Sequence, residues 1–326
     1  MKPVLVTGAT GFTGGRLVQV LRERGVPVRA LVRQGSRSAW LAEAGVELVT
    51  GDIRDVGALQ RAAEGVERIY HIAAVYRTAG HPDDYYRDVN VGGTENVLEA
   101  ARRHGVARLV HCSTVGVHGD VGAIPADETA PYNPGDIYQV TKLEAEQRAR
   151  AAFAAGLPGV VVRPAGIYGP GDLRFLKLFK GIHRRRFVMF GSGETLYHFT
   201  YIDDLVEGIL LCGERPEALG NVYILCGDEY LTLNELVALV ARAVGRRPPR
   251  LHFPVGPVLA AAVACEALCR PLGIDPPLHK RRVEFFVKDR AFTNRKARRD
   301  LGWAPKVALA EGIERTARWY FEQGLL

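Results

Sequence analysis

The feature that most constrains this chain is a glycine-rich segment, TGATGFTGG, at residues 7–15. It follows an apolar run that predicts a strand over residues 3–7, and it leads into a helical pattern over residues 11–24. Glycines in the spacing G-x-x-G-x-x-G permit a tight turn and a close backbone approach to a pyrophosphate, and the helix N-terminus offers free N–H groups. This context predicts a dinucleotide-binding loop. Its expected cofactor contacts are Gly8, Gly11, Phe12, Thr13 and Gly14.

The first half of the chain continues this alternation of strands and helices. Apolar runs predict strands at residues 26–33, 46–49, 68–73, 108–112 and 159–163. Amphipathic stretches between them predict helices, the longest at residues 85–104 and 137–153. Continuous apolar runs suit strands that are buried on both faces. The pattern therefore predicts an α/β fold with a doubly wound, parallel, Rossmann-type sheet.

After about residue 164 the alternation breaks, and this change predicts a second, smaller lobe. We expect a dinucleotide-binding domain over residues 1–165, to which a later segment at about 199–226 returns. Residues 166–326 are expected to form mainly a substrate-binding lobe, so that the substrate meets the cofactor between the two.

The charge balance limits the partners that can be expected. The 326 residues carry a net charge of +7, which suits an anionic small molecule. Basic clusters at residues 183–186, 280–282 and 295–299 lack the interleaved aromatic residues of single-strand binders, so no nucleic-acid partner is expected. The five cysteines form no C-x-x-C pair. Neither a disulfide framework nor a metal site is therefore predicted.

Location and assembly are predicted in outline only. A strand already begins at residue 3, so no signal peptide is expected, and reduced thiols are typical of a cytoplasmic protein. The least charged stretch, residues 251–265, is too short to span a bilayer but leaves peripheral membrane contact open. We expect a cytoplasmic homodimer that acts on a small-molecule substrate.

The residues after the second predicted strand bear on the choice between NAD and NADP. A carboxylate that accepts from both adenosine ribose hydroxyls is absent from residues 31–37, where Arg33 and Arg37 stand instead. Two arginines could hold a 2′-phosphate by charge-assisted hydrogen bonds, so NADP is favoured and NAD stays possible. Asp52, beside Ile53, is expected to accept from the adenine amino group, or else to be an ordinary turn carboxylate.

A tyrosine and a lysine in the predicted helix at 137–153 suggest acid–base chemistry. Tyr138 and Lys142 are four residues apart and therefore share a helix face. Tyrosine is a weak base at neutral pH, and lowering its pKa by about 3 units requires about 4 kcal/mol, which a nearby ammonium and a cationic nicotinamide help to supply. The hydroxyl of Thr114, at the end of the fifth predicted strand, can position a substrate oxygen. These three residues are the predicted catalytic set.

In order and spacing, these pieces resemble the extended short-chain dehydrogenase/reductase family, also called the NAD-dependent epimerase/dehydratase family. The resemblance covers nearly the whole chain and implies a Rossmann-type domain, a C-terminal substrate lobe and the Thr114–Tyr138–Lys142 set. It also implies that Ala73, Ala74 and Val75 line the cofactor, that Asn90 supports the central helix, and that Pro164 and Ile167 lie near the nicotinamide. Further cofactor contacts are expected at Ile53, Asn90, Tyr138 and Lys142, with Lys142 reaching the nicotinamide ribose. Substrate contacts are expected at Ser113, Thr114, Tyr168, Arg174 and Tyr197. The matching motifs are GATGFTG, GDIRD, HIAA, DVNVGGTENV, STVGVHG, YQVTK, RPAGIYGPG and YIDDLVEG.

The family reactions differ in what they require after the catalytic hydroxyl. Val115 and Gly116 follow Thr114, so the acid that dehydratases and decarboxylase-like members carry there is missing. Epimerisation needs only hydride removal and return, and a UDP-hexose or UDP-uronate 4-epimerase is the first prediction.

Two other functions stay open. Many sugar-nucleotide members place an arginine at the position of Tyr197, which cannot supply that charge. The apolar stretch at 257–269, with LHFP before it, resembles the substrate-side helix of sterol-dehydrogenase-like members. A 3β-hydroxysteroid- or flavanonol-4-reductase-like dehydrogenase of a hydrophobic alcohol is therefore the alternative. A non-catalytic NADP(H) sensor is a minor one, since such proteins usually lack the Tyr/Lys pair.

Overall fold

The centre of the molecule is a seven-stranded parallel sheet. The computed structural model describes residues 2–76, 81–249, 251–269, 283 and 285–326. The sheet order is β10-β6-β5-β4-β1-β2-β3. Strands are therefore added outward from β1 in one direction up to β3 and from β4 in the other, and doubly wound sheets bind their ligands at this switch between β1 and β4. This confirms the predicted α/β Rossmann-type fold. The strands are β1 (Val4–Thr7), β2 (Val28–Val32), β3 (Glu47–Thr50), β4 (Arg68–His71), β5 (Arg108–Cys112), β6 (Gly159–Pro164) and β10 (Val222–Leu225).

Two apolar layers cover the sheet, one on each face. Alternate residues of β1 belong to different layers: Val4 and Val6 pack into one and Leu5 into the other, and all three are buried. This explains the continuous apolar run in the sequence. The first layer contains α1 (Phe12–Glu23), α2 (Ala39–Glu43) and α8 (Ile202–Glu214), and the second α3 (Val56–Ala63), α5 (Gly93–Arg103) and α6 (Ile137–Ala154).

Local sequence sets where two of these helices begin. Asp55 accepts a hydrogen bond from the Ala58 N–H at 3.0 Å and caps α3, and Asp136 caps α6 through the Gln139 N–H at 2.9 Å. The predicted helix at 85–104 is divided. It consists of the short helix α4 (Asp83–Arg87), one π-helical turn (Asp88–Gly92) and α5. That turn carries Asn90, and π-turns are frequent at functional sites.

The second half adds smaller sheets and further helices. Strands β7 (Gly166–Tyr168), β9 (Leu196–Tyr201) and β11 (Tyr230–Thr232) form a three-stranded sheet, and β8 (Met189–Phe190) pairs with β12 (His252–Phe253). The helices are α7 (Leu176–His183), α9 (Leu233–Ala243), α10 (Val255–Cys269), α11 (Arg295–Leu301) and α12 (Leu309–Glu322).

The segment expected to return to the first domain contributes α8 and β10. Helix α8 packs against α1, and β10 pairs with β6 in the large sheet. The division of the chain at residue 165 stays a prediction, as do the homodimer and the cytoplasmic location. Of the helices within the described residues, none combines the length and apolarity needed to cross a bilayer. The basic cluster Lys280-Arg281-Arg282 lies outside the described residues.

Candidate active site

The glycine loop lies at the carboxyl end of β1 and admits no larger residues at two points. Gly8 has a φ of 77°, and a Cβ there would lie 2.7 Å from the Ala73 nitrogen. A Cβ on Gly14 would lie 2.2 Å from the Gly8 carbonyl oxygen. Gly11 precedes α1, and no side chain caps the first turn of that helix, in which Phe12 and Thr13 are half-buried. The loop therefore presents backbone N–H groups to an anion, and it fits the pyrophosphate of a dinucleotide.

A chain of buried hydrogen bonds runs beneath this loop. The Thr94 hydroxyl donates to the Asn90 carbonyl at 2.7 Å, so it must accept from Nε2 of His71, which lies at 3.0 Å. Nδ1 of His71 then accepts from the Thr7 hydroxyl at 2.8 Å, and this hydroxyl also accepts from the Ala73 N–H at 3.3 Å. Burial, helped by the charge of Lys142, lowers the pKa of His71 to about 3, so its neutral form is fixed.

Asn90 extends this chain to the loop after β4 and to α6. Its side-chain oxygen accepts from the Val75 N–H at 2.8 Å, and its amide donates to the Val75 carbonyl at 3.3 Å and the Thr141 hydroxyl at 3.0 Å. These bonds hold the segment in which Ala73 and Val75 are half-buried and Ala74 is exposed. Asn90 thus positions the expected cofactor-lining residues, and direct contact between Asn90 and cofactor stays a prediction.

The predicted catalytic residues come from β5 and α6. Nζ of Lys142, a buried side chain, donates to the Cys112 carbonyl at 2.6 Å and so fastens α6 to the end of β5. Burial lowers the pKa of Lys142. Thr114 follows β5, and its Oγ1 accepts from the Gly116 N–H at 3.0 Å. Tyr138 is half-buried, and its ring meets the ring of Tyr76 edge-on with centroids 4.9 Å apart. The catalytic roles stay predictions.

Ser113, expected as a substrate contact, is turned into the protein. Its hydroxyl donates to Oε2 of Glu146 at 2.6 Å. Glu146 forms an ion pair with Arg163 in which Nη2 and Oε1 are 2.5 Å apart, and both side chains are fully buried. Arg163 also binds Nε2 of His118 at 2.9 Å and the Tyr132 hydroxyl at 2.8 Å. The sequence reasoning missed this cluster, although Glu146 follows Lys142 by four residues and so shares its helix face.

The adenosine end of the site contains the two arginines proposed for a 2′-phosphate. Arg33 and Arg37 are both exposed. Partial burial opposes the ionisation of Asp52, but hydrogen bonds from Arg54 outweigh it and lower the pKa of Asp52. Oδ1 of Asp52 accepts from the Arg54 backbone N–H at 3.0 Å and from its Nε at 2.9 Å. This is the turn-carboxylate arrangement rather than an open acceptor for adenine, whereas Ile53 is buried against Gly93.

The remaining predicted contacts lie after β6. Pro164 is buried at the end of β6, and Ile167 is half-buried in β7. Tyr168 is 5% exposed, with its hydroxyl 3.5 Å from the Leu309 carbonyl, so it belongs to the core beside α12. Arg174 lies at the glycine loop, with its guanidinium 5.4 Å from the ring centroid of Phe12.

Tyr197 lies in a cluster of aromatic side chains. It is 7% exposed, and its hydroxyl donates to the Phe285 carbonyl. Its ring centroid is 5.0 Å from that of Phe285 and 6.0 Å from that of Phe199. The Arg290 guanidinium lies 5.6 Å from the Tyr197 centroid. Tyr168 and Tyr197 therefore pack within the second half of the chain, and a contact of either with substrate stays a prediction.

Comparisons with known proteins agree with this geometry. Residues 4–226 match the model of the NAD dependent epimerase/dehydratase family. The chain is 33% identical to a 3 beta-hydroxysteroid dehydrogenase/Delta 5→4-isomerase of Mycobacterium tuberculosis, covering 98% of this chain and 91% of that protein. It is 35% identical to a 2-alkyl-3-oxoalkanoate reductase of Stenotrophomonas maltophilia, covering 96% and 97%. A dTDP-glucose 4,6-dehydratase from Streptomyces venezuelae, solved with NAD bound, superposes with a TM-score of 0.77 at 26% identity, covering 98% and 97%.

Proposed function

The chain belongs to the NAD-dependent epimerase/dehydratase family, and on that premise we propose that it is an NAD(P)-dependent dehydrogenase or reductase of a hydrophobic secondary alcohol or ketone. The hydroxysteroid dehydrogenase and oxoalkanoate reductase among its relatives favour this function. The UDP-sugar 4-epimerase that the sequence motifs predicted first is therefore the less favoured function. The solved UDP-glucose 4-epimerase that this chain resembles is 24% identical to it, and a likeness at that level supports a shared fold but not a shared substrate.

The observation that carries the proposal is the surroundings of Tyr197. Many sugar-nucleotide enzymes need a cation here, but this position is a buried tyrosine packed against Phe199 and Phe285. Its hydroxyl is already bonded to a backbone carbonyl. The Tyr197 side chain itself carries no charge for a diphosphate, and the neighbouring Arg290 guanidinium is engaged by the Tyr197 ring and hydroxyl.

The chain's own residues account for the acid–base half of such a reaction. When bound, the nicotinamide supplies or accepts the hydride. Tyr138 donates or accepts the proton at the substrate oxygen, and the buried ammonium of Lys142 lowers the cost of its phenolate. Because Oγ1 of Thr114 accepts from the Gly116 N–H, its own proton can be donated to the substrate oxygen. Gly116 offers no acid to a leaving hydroxyl, which argues against dehydration.

NADP is the proposed cofactor. Arg33 and Arg37 are exposed at the end of β2, where a 2′-phosphate would lie, and residues 31–37 hold no carboxylate to accept from the ribose hydroxyls. Charge-assisted bonds from two arginines favour the phosphorylated ribose.

The test is an activity screen on the purified protein. A 3β-hydroxysteroid with NADP⁺ or NAD⁺, and a 2-alkyl-3-oxoalkanoate with NADPH or NADH, are followed by absorbance at the nicotinamide band. UDP-glucose and UDP-galactose are incubated in parallel and separated by chromatography. We expect stoichiometric use of added cofactor with a hydrophobic substrate and none with the UDP-hexoses, with Tyr138→Phe as the inactive control. Interconversion of the UDP-hexoses without net use of cofactor would instead support the epimerase.

A further inference from the structure

Arg174 lies across the mouth of the dinucleotide loop. Its guanidinium carbon is 5.4 Å from the ring centroid of Phe12, at the start of α1, and 5.7 Å from that of Tyr76, in the segment after β4. Strands β1 and β4 are neighbours in the sheet, and the cleft between their carboxyl ends is where a dinucleotide lies in this fold. The cation therefore bridges the two segments that border the cleft.

The guanidinium is held in place from behind. Its Nε donates to Oδ1 of Asp172 at 2.7 Å, and its Nη2 donates to the Ile167 carbonyl at 2.8 Å. Asp172 is 1% exposed, and its own carbonyl accepts from the Tyr320 hydroxyl at 2.6 Å. Arginine has five N–H donors, and these contacts use two of them. A cation anchored in this way loses little side-chain entropy when it binds an anion.

The glycine loop offers its N–H groups from one side only. The first turn of α1 has no acidic side chain and no side-chain cap, so the loop is suited to bind a pyrophosphate. A pyrophosphate carries two negative charges, and the charge that faces away from the loop needs a cation from another part of the chain. Arg174 brings a cation to this turn, because its guanidinium lies against the ring of Phe12. We propose that Arg174 is a clamp that binds the dinucleotide pyrophosphate opposite the glycine loop, with Phe12 and Tyr76 as its platform. The inference rests on the proposed NAD(P)-dependent function and replaces the expected role of Arg174 as a substrate contact.

The clamp also reaches the catalytic tyrosine. The ring of Tyr76 contacts both the Arg174 guanidinium and the Tyr138 ring, and the centroids of the two tyrosine rings are 4.9 Å apart in an edge-on arrangement. Cofactor binding at Arg174 therefore stabilises the position of Tyr76 and, through it, of Tyr138. Arg174 is in this respect a positioning residue for the proton transfer.

The experiment compares Arg174→Gln and Arg174→Lys with Lys177→Gln, which removes an exposed cation from the neighbouring helix α7. Calorimetric titration gives the Kd of each protein for NADPH, NADH and ADP-ribose. Arg174→Gln should weaken all three by about tenfold or more and by a similar factor, because they share the pyrophosphate. Arg174→Lys should be intermediate, since it keeps the charge and loses the fork, and Lys177→Gln should match the wild type.

The other outcomes are distinguishable. Dinucleotide affinities within twofold of wild type in Arg174→Gln, with a raised KM for the carbonyl substrate, would return Arg174 to the substrate and overturn the clamp. A change in the NADPH-to-NADH preference would assign it to the adenosine end and overturn it too. Urea unfolding checks that each variant is folded, and if Arg174→Gln is not, the lysine variant decides in the same way. A wild-type protein that binds neither NADPH nor NADH would show instead that the proposed function is wrong.

Discussion

The predicted cofactor side and the predicted substrate side of the candidate site are held together by different kinds of interaction. On the cofactor side, Thr7, His71 and Thr94 form an unbroken series of buried hydrogen bonds that ends at Asn90. On the other side, Tyr197 is surrounded by phenylalanine rings at centroid distances of 5.0 Å and 6.0 Å. A directional network admits few substitutions, because each lost partner leaves a buried polar group unsatisfied. An apolar cluster requires mainly that its volume be kept.

This difference extends to exposed surface. The strands at the centre of the large sheet are buried on both faces, whereas α10 has Val263 at 49% and Leu268 at 70% exposure. On the proposed function, the proton transfer depends on residues that can hardly vary, and substrate choice depends on residues that can. A family built in this way can keep one reaction while its substrates diverge.

The comparison is tested most strongly by removing one tyrosine hydroxyl from each side, that of Tyr138 and that of Tyr197. The larger effect is expected at Tyr138. Tyr138→Phe should lower kcat by about 10³-fold, or about 4 kcal/mol, because the proton relay is lost. The Kd for NADPH should stay within twofold, since the glycine loop and the network beneath it are untouched. Steady-state kinetics and calorimetric titration measure the two effects. Near-normal turnover in this variant would show that another group transfers the proton.

The double variant Arg33→Ala/Arg37→Ala tests the NADP preference of the cofactor side. Loss of two charge-assisted bonds should weaken NADPH binding by about 2 kcal/mol, or about 30-fold, and leave NADH nearly unchanged. In the wild type, the preference for NADPH should diminish as ionic strength rises. Titrations of both dinucleotides at low and high salt decide the matter. Equal wild-type affinities, or tighter NADH binding, would contradict the NADP assignment.

Acid should weaken both sides through their buried histidines. Burial lowers the pKa of His71 to about 3 and of His198, in β9, to about 4. An unfolded histidine has a pKa near 6.5, so below that pH the unfolded state binds the extra proton and stability falls as pH falls. Each histidine should cost about 1.4 kcal/mol between pH 7.5 and 5.5.

The matched variant for this effect is His71→Gln, which keeps hydrogen-bonding groups but does not titrate. Urea unfolding at pH 7.5 and 5.5 should show a smaller pH dependence in the variant than in the wild type, by about 1.4 kcal/mol. An unchanged pH dependence would mean that His71 is charged in the folded protein.

The smallest effect is expected from Tyr197→Phe, the counterpart of the Tyr138 substitution. It leaves the Phe285 carbonyl without the tyrosine hydroxyl and should cost about 1 kcal/mol of stability. The turnover number should stay within twofold, because the ring still fills its place. Loss of activity comparable to that of Tyr138→Phe would show that the aromatic side takes part in the chemistry.

The sequence predicts the features that depend on neighbours along the chain. The strand–glycine–helix order, the shared face of Tyr138 and Lys142, and the alternation of the large sheet all follow from local periodicity. The inward turn of Ser113 does not, because its direction is decided by Glu146 on another element. Arg174 could be singled out as a cation, but only the folded chain brings it to Phe12. The aromatic neighbours of Tyr168 and Tyr197 do not follow from local periodicity either, since they depend on how the three-stranded sheet packs.

The position of β10 has a consequence for the synthesis of this protein. Strand β6 ends at Pro164, but its outer neighbour β10 begins only at Val222. Until the ribosome has delivered that later segment, a hydrophobic strand of the nascent chain presents an unpaired edge. Such an edge pairs readily with another chain. The nascent chain is therefore most prone to aggregate, and most in need of a chaperone, between the synthesis of β6 and that of β10. A fragment released at residue 165 would leave the β6 edge unpaired permanently. The first half of the chain is therefore protected from edge-to-edge aggregation only after the second half has been synthesised.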